Sequence, residues 1–102
     1  MEDAAIVDLY WQRDEGAIRE TDAKYGRYCY AIAYRILAGR EDSDESVNDT
    51  YLAAWRTMPP KRPDSLGAYL GRIVRNISLG RLRRRESAKR GGGEAALCLD
   101  EL

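Results

Sequence analysis

Histidine is absent from this chain of 102 residues, which removes the most common general base and the most common zinc ligand of proteins. Only two cysteines are present, Cys29 and Cys98, and they lie far apart and outside any metal-ligand spacing. We therefore expect neither a zinc site nor a disulfide framework, and a reducing cytoplasm fits this cysteine usage best.

Long apolar runs are also missing, and no segment approaches the roughly 20 residues that a membrane-spanning helix needs. The N-terminus, Met1-Glu2-Asp3, lacks the basic and apolar segments of a signal peptide. No segment shows the alternation of apolar and polar residues that is typical of a strand. The length allows one small domain with a single core, and we expect its fold class to be all-α.

The formal net charge of zero conceals a strong asymmetry along the chain. Residues 1–60 carry 7 basic and 12 acidic side chains, whereas residues 61–90 carry 10 basic and 2 acidic ones. The last segment, residues 91–102, carries 3 acidic side chains and no basic one. An acidic part is therefore followed by a basic part and a short acidic end.

Apolar residues recur at intervals of three and four, which predicts a compact bundle of about four helices, near residues 3–13, 14–38, 42–58 and 66–85. The expected core positions are Ile6, Leu9 and Tyr10 in the first helix; Ile18, Thr21, Tyr25, Cys29, Ile32 and Ile36 in the second; Val47, Tyr51 and Trp55 in the third; and Leu66, Leu70, Ile73 and Ile77 in the fourth.

Residues that start and stop helices support these boundaries. Asp42 and Glu45 predict a capping box at the start of the third helix. Met58-Pro59-Pro60 predicts its end, because proline lacks the helical N–H, and Asp64 or Ser65 is placed to cap the fourth helix. Gly91-Gly92-Gly93 predicts a flexible break before the C-terminal tail.

Three tyrosines of the second helix, Tyr25, Tyr28 and Tyr30, are open to two interpretations. They could form a platform on which nucleic-acid bases stack, or they could pack in the core and leave their hydroxyls near the surface. Core packing is favoured because half of the positions in this stretch fall on the buried stripe.

The third helix begins with a broad acidic face, made by Glu41, Asp42, Asp44, Glu45, Asn48 and Asp49. A calcium loop of the EF-hand type is excluded, since Val47 and Ala53 stand where glycine and glutamate are required. A solvated face and a protein-binding face remain, and the residues alone favour the solvated one.

The fourth helix carries a basic face on the side away from its apolar stripe. Arg72, Arg75, Asn76, Leu79 and Arg83 share this face, and the expected field is extended by Arg81, Arg84, Arg85, Lys61 and Arg62. Arginines with an amide side chain among them are typical of a nucleic-acid interface. A solvated helix or a membrane-surface helix is the alternative, and the lack of Trp or Phe beside the arginines disfavours a membrane.

Two long motifs make the chain resemble a known family. Residues 41–55 read E-D-S-D-E-S-V-N-D-T-Y-L-A-A-W and closely resemble E-D-A-E-D-L-V-Q-E-T-F-L-x-A-W of bacterial sigma-factor region 2. Residues 68–85 read A-Y-L-G-R-I-V-R-N-I-S-L-G-R-L-R-R-R and resemble that family's A-W-L-Y-R-I-A-R-N-L-A-L-D-R-L-R-R-R. The likeness is greatest to the extracytoplasmic-function (ECF) type and extends over about residues 6–90.

The resemblance implies that the acidic third helix docks on the clamp helices of the largest subunit of core RNA polymerase. Asn48 and Asp49 match the Q-E contact positions of the motif, which replaces the solvated-face interpretation with a protein-binding one. The core-binding residues expected on this basis are Asp42, Glu45, Asn48, Asp49 and Leu52.

The resemblance also implies that the loop before the fourth helix, together with the start of that helix, captures a flipped base of the non-template strand of the promoter −10 element. Asn76 would lie near the base pocket, and Arg72 and Arg75 would hold phosphates. Promoter melting then needs no bond chemistry and no cofactor, because a pocket and a positive surface stabilise the unstacked strand. The expected DNA-binding residues are Lys61, Arg62, Arg72, Arg75, Asn76, Leu79 and Arg83.

Four departures from the family motifs matter for this interpretation. Ser46 replaces a leucine, Tyr69 a tryptophan, Gly71 an aromatic residue and Gly80 an aspartate. The loop at residues 57–65 has three prolines and no aromatic residue of its own.

Residues 91–102 resemble the linker that precedes sigma region 4, and no helix-turn-helix follows. We therefore expect a region 2 domain at residues 1–90, a flexible linker at residues 91–102, and a chain that is part of a longer sigma factor. An anti-sigma factor is a further partner that the resemblance suggests.

Two other functions compete with this interpretation. The chain could be a helical interaction module whose basic helix binds an acidic protein. A nuclease would need converging carboxylates near the basic helix, and only Asp64 and Glu86 flank it, so we expect no enzymatic activity.

Overall fold

The computed structural model describes residues 1–89. They form four helices, α1 (Asp3–Trp11), α2 (Gly16–Leu37), α3 (Arg40–Thr57) and α4 (Leu66–Lys89). The all-α fold class and the number of helices are thereby confirmed. The predicted break at Gly91-Gly92-Gly93 and the linker at residues 91–102 lie outside the described residues. None of the helices within residues 1–89 is long and apolar enough to cross a membrane.

The start of α3 differs from the prediction. The helix begins at Arg40, two residues early, and its N-cap residue Gly39 makes no side-chain cap hydrogen bond. The predicted capping box is therefore wrong, because Asp42 and Glu45 already lie inside the helix. Their carboxylates instead pair with arginines of α4.

At the start of α4 one predicted cap is confirmed. Ser65 Oγ accepts a hydrogen bond of 3.2 Å from the backbone N–H of Ala68, three residues later. Asp3 of α1 contributes a second acceptor, at 3.3 Å from the backbone N–H of Leu66. The first turn of α4 is thus held both by its own loop and by the N-terminal helix.

The core lies where α2, α3 and α4 pack against one another, with α1 against α2 and α4. Small side chains line the buried side of α2, where Ala17, Cys29 and Ala33 have no exposed surface. The larger Ile32 and Ile36, expected in the core, are only partly buried. Helices approach most closely where side chains are small, so the isoleucines lie at the margins of the contact.

A similar shift occurs on α4. Leu66 and Leu70 are fully buried as predicted, but the row continues through Val74 and Ser78 rather than through Ile73 and Ile77. This row is the side of α4 that turns toward α2 and α3. The same row, extended by one more turn, reaches Arg81 and Arg85.

Candidate functional site

The loop between α3 and α4, residues 58–65, is held from the outside by residues near the end of α1. Arg13 donates hydrogen bonds to the backbone carbonyls of Trp55 and Met58 at 2.8 and 2.9 Å, and its guanidinium lies 3.8 Å from the Trp55 ring centroid. These carbonyls belong to the end of α3, where helix acceptors lack partners. Arg13 therefore closes α3 and fixes the beginning of the loop.

The middle of the loop is held by Trp11 and Asp8. The indole N–H of Trp11 donates to the carbonyl of Lys61 at 2.9 Å. The Arg62 guanidinium pairs with Asp8 and lies 5.6 Å from the Trp11 ring centroid. Sequence reasoning missed Asp8, Trp11 and Arg13, because contacts across 42 to 54 residues leave no periodic signal.

The predicted DNA-binding residues of α4 lie together on its exposed side. Arg72, Arg75, Asn76 and Arg83 are exposed, and Leu79 is half-buried beside them. Within residues 1–89 no hydrogen bond or ion pair holds these four polar side chains. Their charge and hydrogen-bonding groups are therefore available to a ligand.

A groove between α2 and α4 joins this basic face. Its lining residues are Tyr28, Ile32, Arg35 and Ile36 from α2 and Ala68, Gly71, Arg72 and Arg75 from α4. Arg35 thus adds a third guanidinium to those of Arg72 and Arg75, above an apolar floor. Tyr28 is 46% exposed and does not pack in the core, whereas Tyr25 and Tyr30 are partly buried against it. The spacing of Tyr28, Ile32 and Arg35 on one side of α2 was the signal available for this groove.

The positive field on α4 is narrower than the sequence suggested. Arg81 donates to Glu45 and Asp49 at 2.8 Å each, and the hydrogen bond that Asp49 accepts is the main reason why the pKa of Arg81 is raised. Arg85 donates to Asp42 at 3.1 Å and to the Leu37 carbonyl at 2.9 Å. Both arginines face α3, because they continue the buried row of α4, and so do not extend the predicted DNA-binding face.

These ion pairs also reduce the unpaired negative charge on the acidic face of α3. Three of the predicted core-binding residues, Asp42, Glu45 and Asp49, already have arginine partners within the domain. The other two, Asn48 and Leu52, lie one turn apart and are exposed, and Leu52 has 47% of its surface exposed. An exposed leucine beside polar neighbours is the apolar centre of this surface.

Ionisable groups in the core serve the fold. Cys29 is fully buried, and burial together with the charge of Asp22 raises its pKa to about 11, so the thiol is unreactive at neutral pH. Tyr51 donates to Asp22 at 2.7 Å across the α2–α3 contact. In the part of the chain that the structure describes, no group of three His, Cys, Asp or Glu side chains is placed to hold a metal.

Comparison with known proteins agrees with this arrangement. The family model described as Sigma-70 region 2 matches residues 23–88, which is more than half of the chain. The search of curated proteins and the search of solved structures gave no match. The matched residues include most of α2, all of α3 and nearly all of α4, and so contain both charged surfaces. The chain therefore belongs to the sigma-70 region 2 family, whose role is that of a sigma-factor domain in transcription initiation.

Proposed function

We propose that the domain binds core RNA polymerase through α3 and captures the non-template strand of the −10 element on α4 and the preceding loop. The main support for this proposal is that some arginines of α4 are paired with acidic residues of α3 and others are unpaired within the described part of the chain. Arg81 and Arg85 are neutralised by α3, whereas Arg72 and Arg75 remain unpaired at the end of the helix nearest the loop. Arg72 and Arg75 thus place unpaired positive charge near the loop, where the strand would have to unstack, and Arg83 adds a further cation along α4 that is unpaired within residues 1–89.

On this surface each residue type has a separate task. Arg72 and Arg75 bind backbone phosphates, and Arg35 supplies a further cation across the groove. Asn76 can both donate to and accept from a base edge, which arginine cannot do. Lys61 from the loop, with Leu79 and Arg83 further along α4, completes the path of the strand. No bond is made or broken, since melting is favoured simply by binding the unstacked strand.

The polymerase-binding surface uses the exposed part of α3. Leu52 supplies apolar contact and Asn48 a hydrogen-bonding amide, and a small number of residues usually carries most of the binding energy of a protein interface. Glu45 is still 62% exposed although it pairs with Arg81. Exposed ion pairs stabilise a fold by only about 0.2–1 kcal/mol, so Asp42, Glu45 and Asp49 can exchange part of this pairing for cations on the clamp helices.

The test is binding of the fluorescently labelled chain to core RNA polymerase, followed by competition with oligonucleotides. We expect saturable binding to core, and we expect the complex to bind a −10 strand in preference to a scrambled strand of the same length. A chain that bound acidic proteins but neither core nor the −10 strand would instead be the helical interaction module, and the proposal would fail.

A further inference from the structure

We propose that α1 is a clamp that positions the α3–α4 loop for base capture, an inference that rests on the proposed function. The clamp consists of Asp8, Trp11 and Arg13, the three residues that bind the loop and the end of α3. It lies before residues 23–88, the part of the chain that matches the family model. The clamp residues therefore lie outside the matched part of the chain.

The loop needs an external support because of its composition. Pro59, Pro60 and Pro63 have no backbone N–H and cannot donate hydrogen bonds. The backbone hydrogen bonds donated from residues 58–65 run only from Met58 to Ala54 and from Lys61 to Thr57. Both bonds lead back into α3, and none crosses the loop. Contacts from another element must therefore hold its middle in place.

The clamp provides these contacts at three successive points. Arg13 binds the Met58 carbonyl, Trp11 binds the Lys61 carbonyl, and Asp8 pairs with Arg62. Arg62 is thereby turned toward α1, which makes it a positioning residue, while the exposed Lys61 side chain remains the cation that the loop offers to DNA. Two of the contacts hold the loop backbone and the third holds the Arg62 side chain, so they fix the path of the loop and the direction of that side chain.

A fixed loop affects base discrimination more than general affinity. A strand that binds a mobile loop must also order that loop, which costs conformational entropy. This cost weakens the binding of the flipped base, because that base is the part of the strand that contacts the loop. Phosphate contacts on α4 do not involve the loop, so the entropy cost of ordering the loop does not weaken them. Loosening the clamp should therefore weaken a matched strand more than an altered one.

Trp11→Phe is the most specific variant, because it removes the indole N–H and keeps an aromatic ring beside Arg62. Arg62→Lys keeps the charge and removes the planar group that lies over the ring. Tyr10→Phe is the control on the same helix, since it removes the buried 2.6 Å hydrogen bond to Thr21 and leaves the loop contacts intact. Two quantities are measured for each variant: the hydrogen-exchange rate of the Lys61 amide, and the ratio of affinities of the core-bound domain for a matched strand and a strand altered at the flipped base.

We expect Trp11→Phe to accelerate exchange at Lys61 and to lower the affinity ratio by about threefold to tenfold, the range of one hydrogen bond. Arg62→Lys should change both quantities in the same direction, and Tyr10→Phe should change neither. The clamp is refuted if exchange at Lys61 is unchanged, if the ratio stays at the parent value, or if Tyr10→Phe lowers the ratio equally. A parent domain that does not distinguish the two strands overturns the proposed function itself, whatever the exchange rates show.

Discussion

The hydroxyl of Tyr28 lies against Gly71, so closely that a Cβ at residue 71 would be 2.6 Å from the hydroxyl oxygen. Tyr25 makes the equivalent contact one turn earlier, where a Cβ at Gly67 would be 3.0 Å from its ring. The two tyrosine rings form an edge-to-face pair with centroids 6.1 Å apart. Glycine at position 71, a departure from the aromatic residue of the family motif, thus makes room for an aromatic ring from α2.

This contact predicts a coupling between residues 28 and 71. Alanine is better than glycine inside a helix by about 1 kcal/mol. Gly71→Ala should therefore raise the free energy of unfolding by about this amount in a Tyr28→Ala background, but raise it less, or lower it, when Tyr28 is present. Denaturant unfolding of the four proteins of the cycle measures the coupling.

Gly80→Ala is the matched control for that cycle, since the nearest atom to a Cβ there is Arg84 Nη1 at an ordinary 3.5 Å. It should stabilise the domain with or without Tyr28. If Gly71→Ala stabilises the parent as much as Gly80→Ala does, the close packing of Tyr28 on Gly71 is wrong.

The exposed leucine of α3 gives a prediction for polymerase binding. Leu52→Glu should leave the free energy of unfolding nearly unchanged, because the side chain is outside the core, and should weaken binding to core RNA polymerase by about tenfold. Ala31→Glu, at an exposed position of α2, adds the same charge elsewhere and should bind as the parent does. Fluorescence titration with core polymerase measures both, and equal affinities would remove Leu52 from the interface.

Asp3 predicts a stability that depends on pH. Hydrogen bonds from Lys24 and Tyr25 lower the pKa of Asp3 below the ordinary value of 3.8 for an aspartate. A lowered pKa in the folded state means that the carboxylate stabilises the fold above pH 3.8, and that this contribution is lost as the pH falls through the folded-state pKa. Asp3→Asn should therefore be less stable than the parent at neutral pH, by about 1 kcal/mol.

The difference between parent and Asp3→Asn should shrink as the pH falls through the lowered folded-state pKa of Asp3, since both side chains are uncharged below it. Urea unfolding at a series of pH values measures it. A difference that stays constant or grows with acid would show that Asp3 does not act through its charge.

The sequence predicted the helices and the two charged surfaces, because periodicity and motif spacing are local properties. It could not show which basic residues of α4 are exposed and which are paired with acidic residues of α3. Arg75 and Arg81 are six residues apart on one helix, yet Arg75 is exposed and Arg81 binds Glu45 and Asp49. Which of the two is free depends on where α3 packs, and that is decided by tertiary contacts.

The parts of the site contributed by other helices were likewise hidden. Arg35 joins Arg72 and Arg75 only because α2 crosses beside α4, and Trp11 reaches Lys61 across 50 residues of chain. Neither relationship produces a pattern within a window of one helix. The family motifs pointed to the matched residues and gave no indication of the clamp formed by α1.

Base reading by Asn76 is the central claim of this account. Its amide shares an exposed face with Arg72 and Arg75, and it is the residue on that face able to both donate to and accept from a base. Asn76→Ala should therefore reduce the discrimination between a matched −10 strand and one altered at the flipped base by about 1–3 kcal/mol. Arg75→Ala should weaken both strands equally and flatten the dependence of affinity on salt.

The most direct measurement is fluorescence anisotropy of the two labelled strands with the core-bound domain at several salt concentrations. We expect Asn76→Ala to reduce the ratio of matched to altered affinity and to leave the salt slope unchanged. We expect Arg75→Ala to retain the parent ratio and to give a smaller salt slope. Equal losses on both strands for Asn76→Ala, with the parent ratio retained, would contradict the claim that Asn76 reads a base.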